Sequence, residues 1–145
     1  MYSLITDGAY SSSRDQGGLG FVILNGSTKV LEYSKAVKHT TNNKMELTAV
    51  IEGLKALREP CIVELYSDSK YVIDSLSKGL AEGWRRRGWR KSDGKPALNS
   101  DLWNELLTLS EKHTVNCHWV KGHSSSFMNN RCDELAVFES RKFMR

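Results

Sequence analysis

The passage from residue 40 to residue 79 restricts the fold most: an amphipathic helix, a short apolar strand and a second helix follow one another with almost no connecting chain. In TTNNKMELTAVIEGLKALREP (40–60), Leu47, Val50, Ile51, Leu54 and Leu57 fall at i, i+3, i+4, i+7 and i+10. That spacing predicts one apolar stripe on a helix. Thr or Asn near 40–43 supplies a cap at its start, and Pro60 closes it. CIVELYSD (61–68) then reads as a strand and KYVIDSLSKG (70–79) as a helix stopped by glycine. A strand between two helices favours a parallel neighbour in a sheet covered by helices.

The flanking sequence completes the pattern. Strands are predicted at 2–7, at LGFVIL (19–24) and at KVLEYSKAV (29–37), with Asn25-Gly26 as a hairpin turn between the last two. A further helix is expected over Asn99–His113, a strand over TVNCHWV (114–120) and a closing helix over 130–144. The order is βββ-α-β-α-α-β-α, an α/β chain with a mixed sheet. Its 145 residues fit one domain, 1–145.

Composition narrows the setting. No apolar run approaches the roughly 18 residues of a membrane span, and MYSLITDG lacks the charged and apolar regions of a signal peptide. Cys61, Cys117 and Cys132 form no CxxC pair, which argues against a disulfide framework or structural zinc. A cytoplasmic monomer is the expectation. The net charge is +4, but residues 78–95, KGLAEGWRRRGWRKSDGK, hold seven Lys or Arg against Glu82 and Asp93. That segment is +5 and the rest of the chain −1, so the basicity is local and suited to a polyanion.

Four acids sit at element boundaries. Asp7 ends the first strand and Asp68 the fourth; if these strands are parallel neighbours, both carboxylates meet beyond their carboxyl ends. Glu46 lies in the first turns of the long helix and Asp133 begins the last one. Each alone is an ordinary turn former or cap. Gathered together they repel one another unless cations are present, and hard oxygens on rigid supports suit Mg²⁺.

TDG (6–8), TTNNKMEL (40–47), YSDSKYV (66–72), WRRRGWRKSDGKP (84–96), NSDLW (99–103), HWVKGH (118–123) and NRCDELA (130–136), in this order and spacing, resemble the type 1 ribonuclease H family over nearly the full length. The resemblance implies a ribonuclease H-like fold, with a five-stranded mixed sheet of order 3-2-1-4-5 flanked by helices on both faces. It implies an endonuclease that hydrolyses the RNA strand of an RNA–DNA hybrid by a two-metal-ion mechanism with Mg²⁺, or Mn²⁺ in its place. The family's metal-binding acids fall on Asp7, Glu46, Asp68 and Asp133, and its catalytic-loop histidine on His123. Substrate contacts fall on Gly8, Asn42, Asn43 and Lys70 near the acids. Thr41 and Asn99 match a phosphate pocket, with His39 beside it. The family's basic protrusion spans about 80–96, with Trp84, Arg85, Arg86, Arg87 and Trp89 as binding residues; Trp103 and Trp119 are expected in the core.

Two departures stand out: AYSSSRDQGGLG replaces a Pro/Gly-rich loop of bacterial members, and Asn130 stands where a similar member carries an acid. Two other readings share the fold: a non-catalytic hybrid-binding module, and a different nuclease. The intact acidic quartet argues against the first and the full-length motif match against the second.

Overall fold

The computed structural model describes residues 2–121. Among them, a three-stranded antiparallel meander leads the chain: β1 (Tyr2–Ser11), β2 (Gln16–Asn25) and β3 (Thr28–Lys38). Then follow α1 (Asn42–Lys55), β4 (Ile62–Ser67), α2 (Lys70–Ser77), α3 (Leu80–Arg86), α4 (Ser100–Glu111) and β5 (Thr114–Trp119). The strand order is β3-β2-β1-β4-β5, with β1 parallel to β4 and β4 parallel to β5.

Alternation along the strands sorts residues to two faces. Leu4, Ile23 and Leu65 join Leu47, Leu54 and Trp103 in one large core, to which all four described helices contribute. Ile5 and Val22 face the other way, where Leu24 and Tyr66 pack on them. The helix expected at 130–144 lies outside the described residues.

The start of α1 follows from its sequence. Thr41 is extended (φ −137°, ψ 165°), and its hydroxyl accepts a hydrogen bond from the Lys44 amide at 3.1 Å, satisfying a donor that has no partner within the helix. The helix ends at Lys55, five residues before Pro60, so Leu57 packs on the core from the turn that follows rather than from the predicted stripe.

Two boundaries differ from the sequence expectation in ways that matter. Strand β1 continues to Ser11, paired with β2 down to Gln16, whereas the ladder with β4 stops at Ile5–Tyr66. Asp7 therefore does not end its strand. It lies just beyond the end of the parallel ladder while still held by the antiparallel one. The sequence concealed this because the paired stretches, DGAYS and QGGLG, are poor in strand-favouring residues. Helix α3 was not anticipated, since LAEGWRR is short, charged and interrupted by glycine.

Candidate active site

Asp7 is held by two strands and Asp68 follows the last residue of β4, immediately before Ser69, the N-cap of α2. Glu46 arrives from α1, where Met45, Glu46 and Leu47 are all buried against the sheet. One carboxylate oxygen from each of Asp7, Glu46 and Asp68 lies within 4.8 Å of the others. Asp7 and Glu46 are 3% and 5% exposed, so two of the three charges are set in the protein rather than on it.

Gly8 makes this possible. A Cβ on Gly8 would lie 2.6 Å from both the Glu46 amide nitrogen and the Met45 carbonyl carbon, closer than real side-chain atoms come. The absent side chain lets the backbone of α1 rest directly on β1, which places Glu46 beside Asp7. Beside the substrate contact that the resemblance implies for Gly8, the backbone that approaches it in the structure is that of α1. The Gly8 amide also donates to Asp7 Oδ1 at 2.9 Å, fixing that carboxylate.

The donor set is all carboxylate oxygen, on rigid elements, with too much like charge for comfort. A divalent cation among these three groups converts their repulsion into attraction, so the residues fit a hard metal ion. His123 and Asp133 lie outside the described residues.

Thr41 and Asn99, the residues expected at a phosphate pocket, line one depression of about 760 Å³; Asn43, expected beside the acids, lines it too, together with Lys44, Ser100 and Asp101. Asn99 has a left-handed backbone (φ 61°) at the start of α4, and its amide donates to the Tyr71 hydroxyl at 3.3 Å. Asn42 opens α1 and is exposed. His39, also left-handed (φ 56°), pairs with Asp15 at the β1–β2 turn. The Tyr10 hydroxyl donates to Asp15 at 2.8 Å and, as the largest influence, holds its carboxyl below the ordinary range; His39 adds to the effect.

The basic segment divides. Arg86 and Arg87 are exposed, but Arg85 is paired with Glu111 at the end of α4. Trp84 is 9% exposed and meets Trp103 edge to face, ring centres 6.0 Å apart. That burial corrects the expectation of an indole surface for sugar or base: Trp84 anchors α3 to the core. Trp89 (φ 67°) is partly buried on the same core, and its carbonyl accepts from the Ala97 amide at 2.9 Å, closing the loop that carries the cations.

Trp103 is fully buried, as expected, and its indole donates to the Tyr71 hydroxyl at 2.7 Å. Trp119 is not in the core. It is 45% exposed, its indole donates to the Asp68 carbonyl at 3.0 Å, and the Lys70 ammonium lies 4.7 Å from its ring centre. Its position level with Ser67 at the end of β5 is set by strand pairing, so no local signal in the sequence separates it from a core tryptophan.

Comparison with known proteins agrees with this geometry. Residues 1–141 match the family model described as RNase H. A Ribonuclease H of Trichodesmium erythraeum is 49% identical over 140 residues, covering 97% of this chain and 88% of its own length. The Ribonuclease HI of a Synechocystis species is 47% identical over 135 residues, covering 93% and 84%. The crystal structure of LC9-RNase H1, described as a type 1 RNase H with the type 2 active-site motif, has a TM-score of 0.83 at 25% identity, covering 97% of this chain and 72% of that one. LC11-RNase H1 in complex with an RNA/DNA hybrid has a TM-score of 0.79 at 18% identity over the whole of both chains, a likeness of fold.

Proposed function

Because the chain belongs to the RNase H family, we propose that it hydrolyses the RNA strand of RNA–DNA hybrids as an endonuclease, with two Mg²⁺ ions in the working complex. The observation that carries this reading is the meeting of Asp7, Glu46 and Asp68 within 4.8 Å at the end of the β1–β4 ladder. Residues 1–145 act as one domain and a monomer in the cytoplasm; no described helix is long and apolar enough to cross a membrane.

Asp7 is central, since it is paired with Gly20 of β2 and lies just past the end of the β1–β4 ladder at Ile5–Tyr66. Glu46 and Asp68 flank it from α1 and from the β4–α2 junction, and Asp133 completes the set. Bound divalent cations supply charge stabilisation at the scissile phosphate and make a neutral-pH nucleophile of water, so the protein need supply no covalent nucleophile. His123, the counterpart of the family's catalytic-loop histidine, is assigned to moving a proton.

Substrate is held on both strands. Asn42, Asn43 and Lys70 are the residues we assign to the RNA strand, whose wide minor groove presents ribose 2′-hydroxyls. Thr41 and Asn99 receive a phosphate of the DNA strand in the depression they share. Arg86 and Arg87, exposed on and just after α3, add phosphate contacts.

The test is incubation of end-labelled RNA–DNA hybrid, RNA–RNA duplex and DNA–DNA duplex with Mg²⁺. Cleavage of the RNA in the hybrid alone is the expected result. Hybrid binding without cleavage supports a binding module instead, and cutting of duplex DNA supports a different nuclease of the same fold.

A further inference from the structure

We propose that Trp119 is a positioning residue with two separable tasks: its indole N–H sets the backbone of Asp68 for metal binding, and its ring sets the ammonium of Lys70 for substrate. The inference rests on the metal reading above and extends it to a residue outside the acidic set.

Asp68 lies at a seam. It belongs neither to β4, which ends at Ser67, nor to α2, which begins at Lys70. Hydrogen bonds pin the chain on each side of it: the Val120 amide donates to the Ser67 carbonyl at 3.0 Å, the Ser69 amide to the Ser67 hydroxyl at 3.1 Å, and the Ser69 hydroxyl caps the Val72 amide at 3.2 Å. The Asp68 carbonyl itself is fixed by Trp119 Nε1 at 3.0 Å. This last bond comes from β5, so it ties the orientation of one carboxylate to the neighbouring strand rather than to local chain preference. Groups that orient metal-binding residues from behind typically change metal affinity or activity 10–100-fold when removed.

The ring of the same indole also meets a cation. Lys70 Nζ lies 4.7 Å from the ring centre, within the range of a cation–π contact, while Lys70 itself is exposed. One side chain thus couples the placement of an acid to the placement of a base two residues later. Trp119 is 45% exposed, so its ring is open to solvent and to Lys70.

Phenylalanine at 119 removes the N–H and keeps an aromatic face; leucine removes both. Calorimetric titration of the full chain with Mn²⁺, alongside steady-state hydrolysis of hybrid at saturating metal, separates the tasks. Trp119→Phe is expected to weaken Mn²⁺ binding about tenfold with KM for hybrid unchanged. Lys70→Met is expected to raise KM severalfold with Mn²⁺ affinity unchanged, and Trp119→Leu to do both. Thermal unfolding identifies any variant that fails to fold, and a purely structural role lowers Tm without this division. If Trp119→Phe binds Mn²⁺ as the parent does, the positioning inference is overturned alone. If the parent chain takes up no Mn²⁺, the metal reading falls and this inference falls with it.

Discussion

The acidic corner and the basic protrusion are both charged regions of one small protein, yet they are built in opposite ways. In the corner, Asp7 and Glu46 are buried, and their positions follow from backbone packing at Gly8. In the protrusion, Arg86 and Arg87 are exposed, and the loop beneath them is anchored by buried Trp84 and partly buried Trp89. Charges that must meet within a few ångströms need a rigid frame. Charges that attract a long polyanion need only a face and a tether. Substitutions should therefore act on chemistry in the first region, and on stability or affinity in the second according to whether an anchor or a cation is touched.

Asp7→Asn attacks the comparison at its strongest point. It removes one charge from the centre of the acidic cluster with almost no change of shape, and loss of several kcal/mol of transition-state stabilisation corresponds to a fall of roughly 10³-fold or more in kcat. Hybrid affinity should survive, as read by gel shift; near-parental turnover would remove Asp7 from its central role.

Trp84→Ala should be the most damaging change in the protrusion, costing about 3–5 kcal/mol of stability by denaturant titration, because a buried indole is lost from its packing against Trp103. A loss under about 1 kcal/mol would mean that the ring is a surface feature after all. Gly8→Ala tests the frame of the corner. An added methyl meets the Glu46 and Met45 backbone at 2.6 Å, so α1 must shift, at about 1–3 kcal/mol. Activity per folded molecule should fall as well, since Asp7 and Glu46 separate; unchanged specific activity in the folded fraction would show that the corner tolerates the shift.

Replacing Arg86 and Arg87 together by Ala should leave stability within about 0.5 kcal/mol, raise KM severalfold and flatten its dependence on salt, with little change in kcat. A fall in kcat at constant KM would place these cations in the chemistry.

The smallest effect is expected at Asp15. Tyr10 and then His39 hold its folded-state carboxyl below the ordinary range, so the stability it contributes is present above the unfolded value, near ~3.9, and is lost as pH falls through the folded one. Asp15→Asn should flatten the acid limb of a denaturant-midpoint profile slightly and leave the neutral region unchanged. A change confined to neutral pH would point to a different partner.

Much of the fold was legible in particular residues. The Leu47–Val50–Ile51–Leu54 stripe lies at the heart of the core, all four residues 2% exposed or less. The Asn25-Gly26 turn joins β2 and β3, with Gly26 at φ 64°. Legibility failed where a tertiary partner outweighs local preference. DGAYS is strand because QGGLG lies beside it. LAEGWRR is helix because Ala81 and Trp84 dock on the core. Trp84 and Trp119 carry the same side chain with opposite exposure, and no local pattern separates them.

By itself, the sequence determined the order of the five strands with α1, α2 and α4 among them, though not α3, along with the acids near element boundaries and the local excess of positive charge. Those properties follow from periodicity, turn chemistry and composition, which act over a few residues of chain. Only the tertiary structure decided that Asp7, Glu46 and Asp68 share one corner, that Arg85 is taken up by Glu111, and that Trp119 reaches Asp68. These contacts join residues 22 to 61 positions apart. They depend on how closely backbones approach, as at Gly8, and on which strand lies beside which; both are set when the core packs, not by any residue's neighbours in the chain.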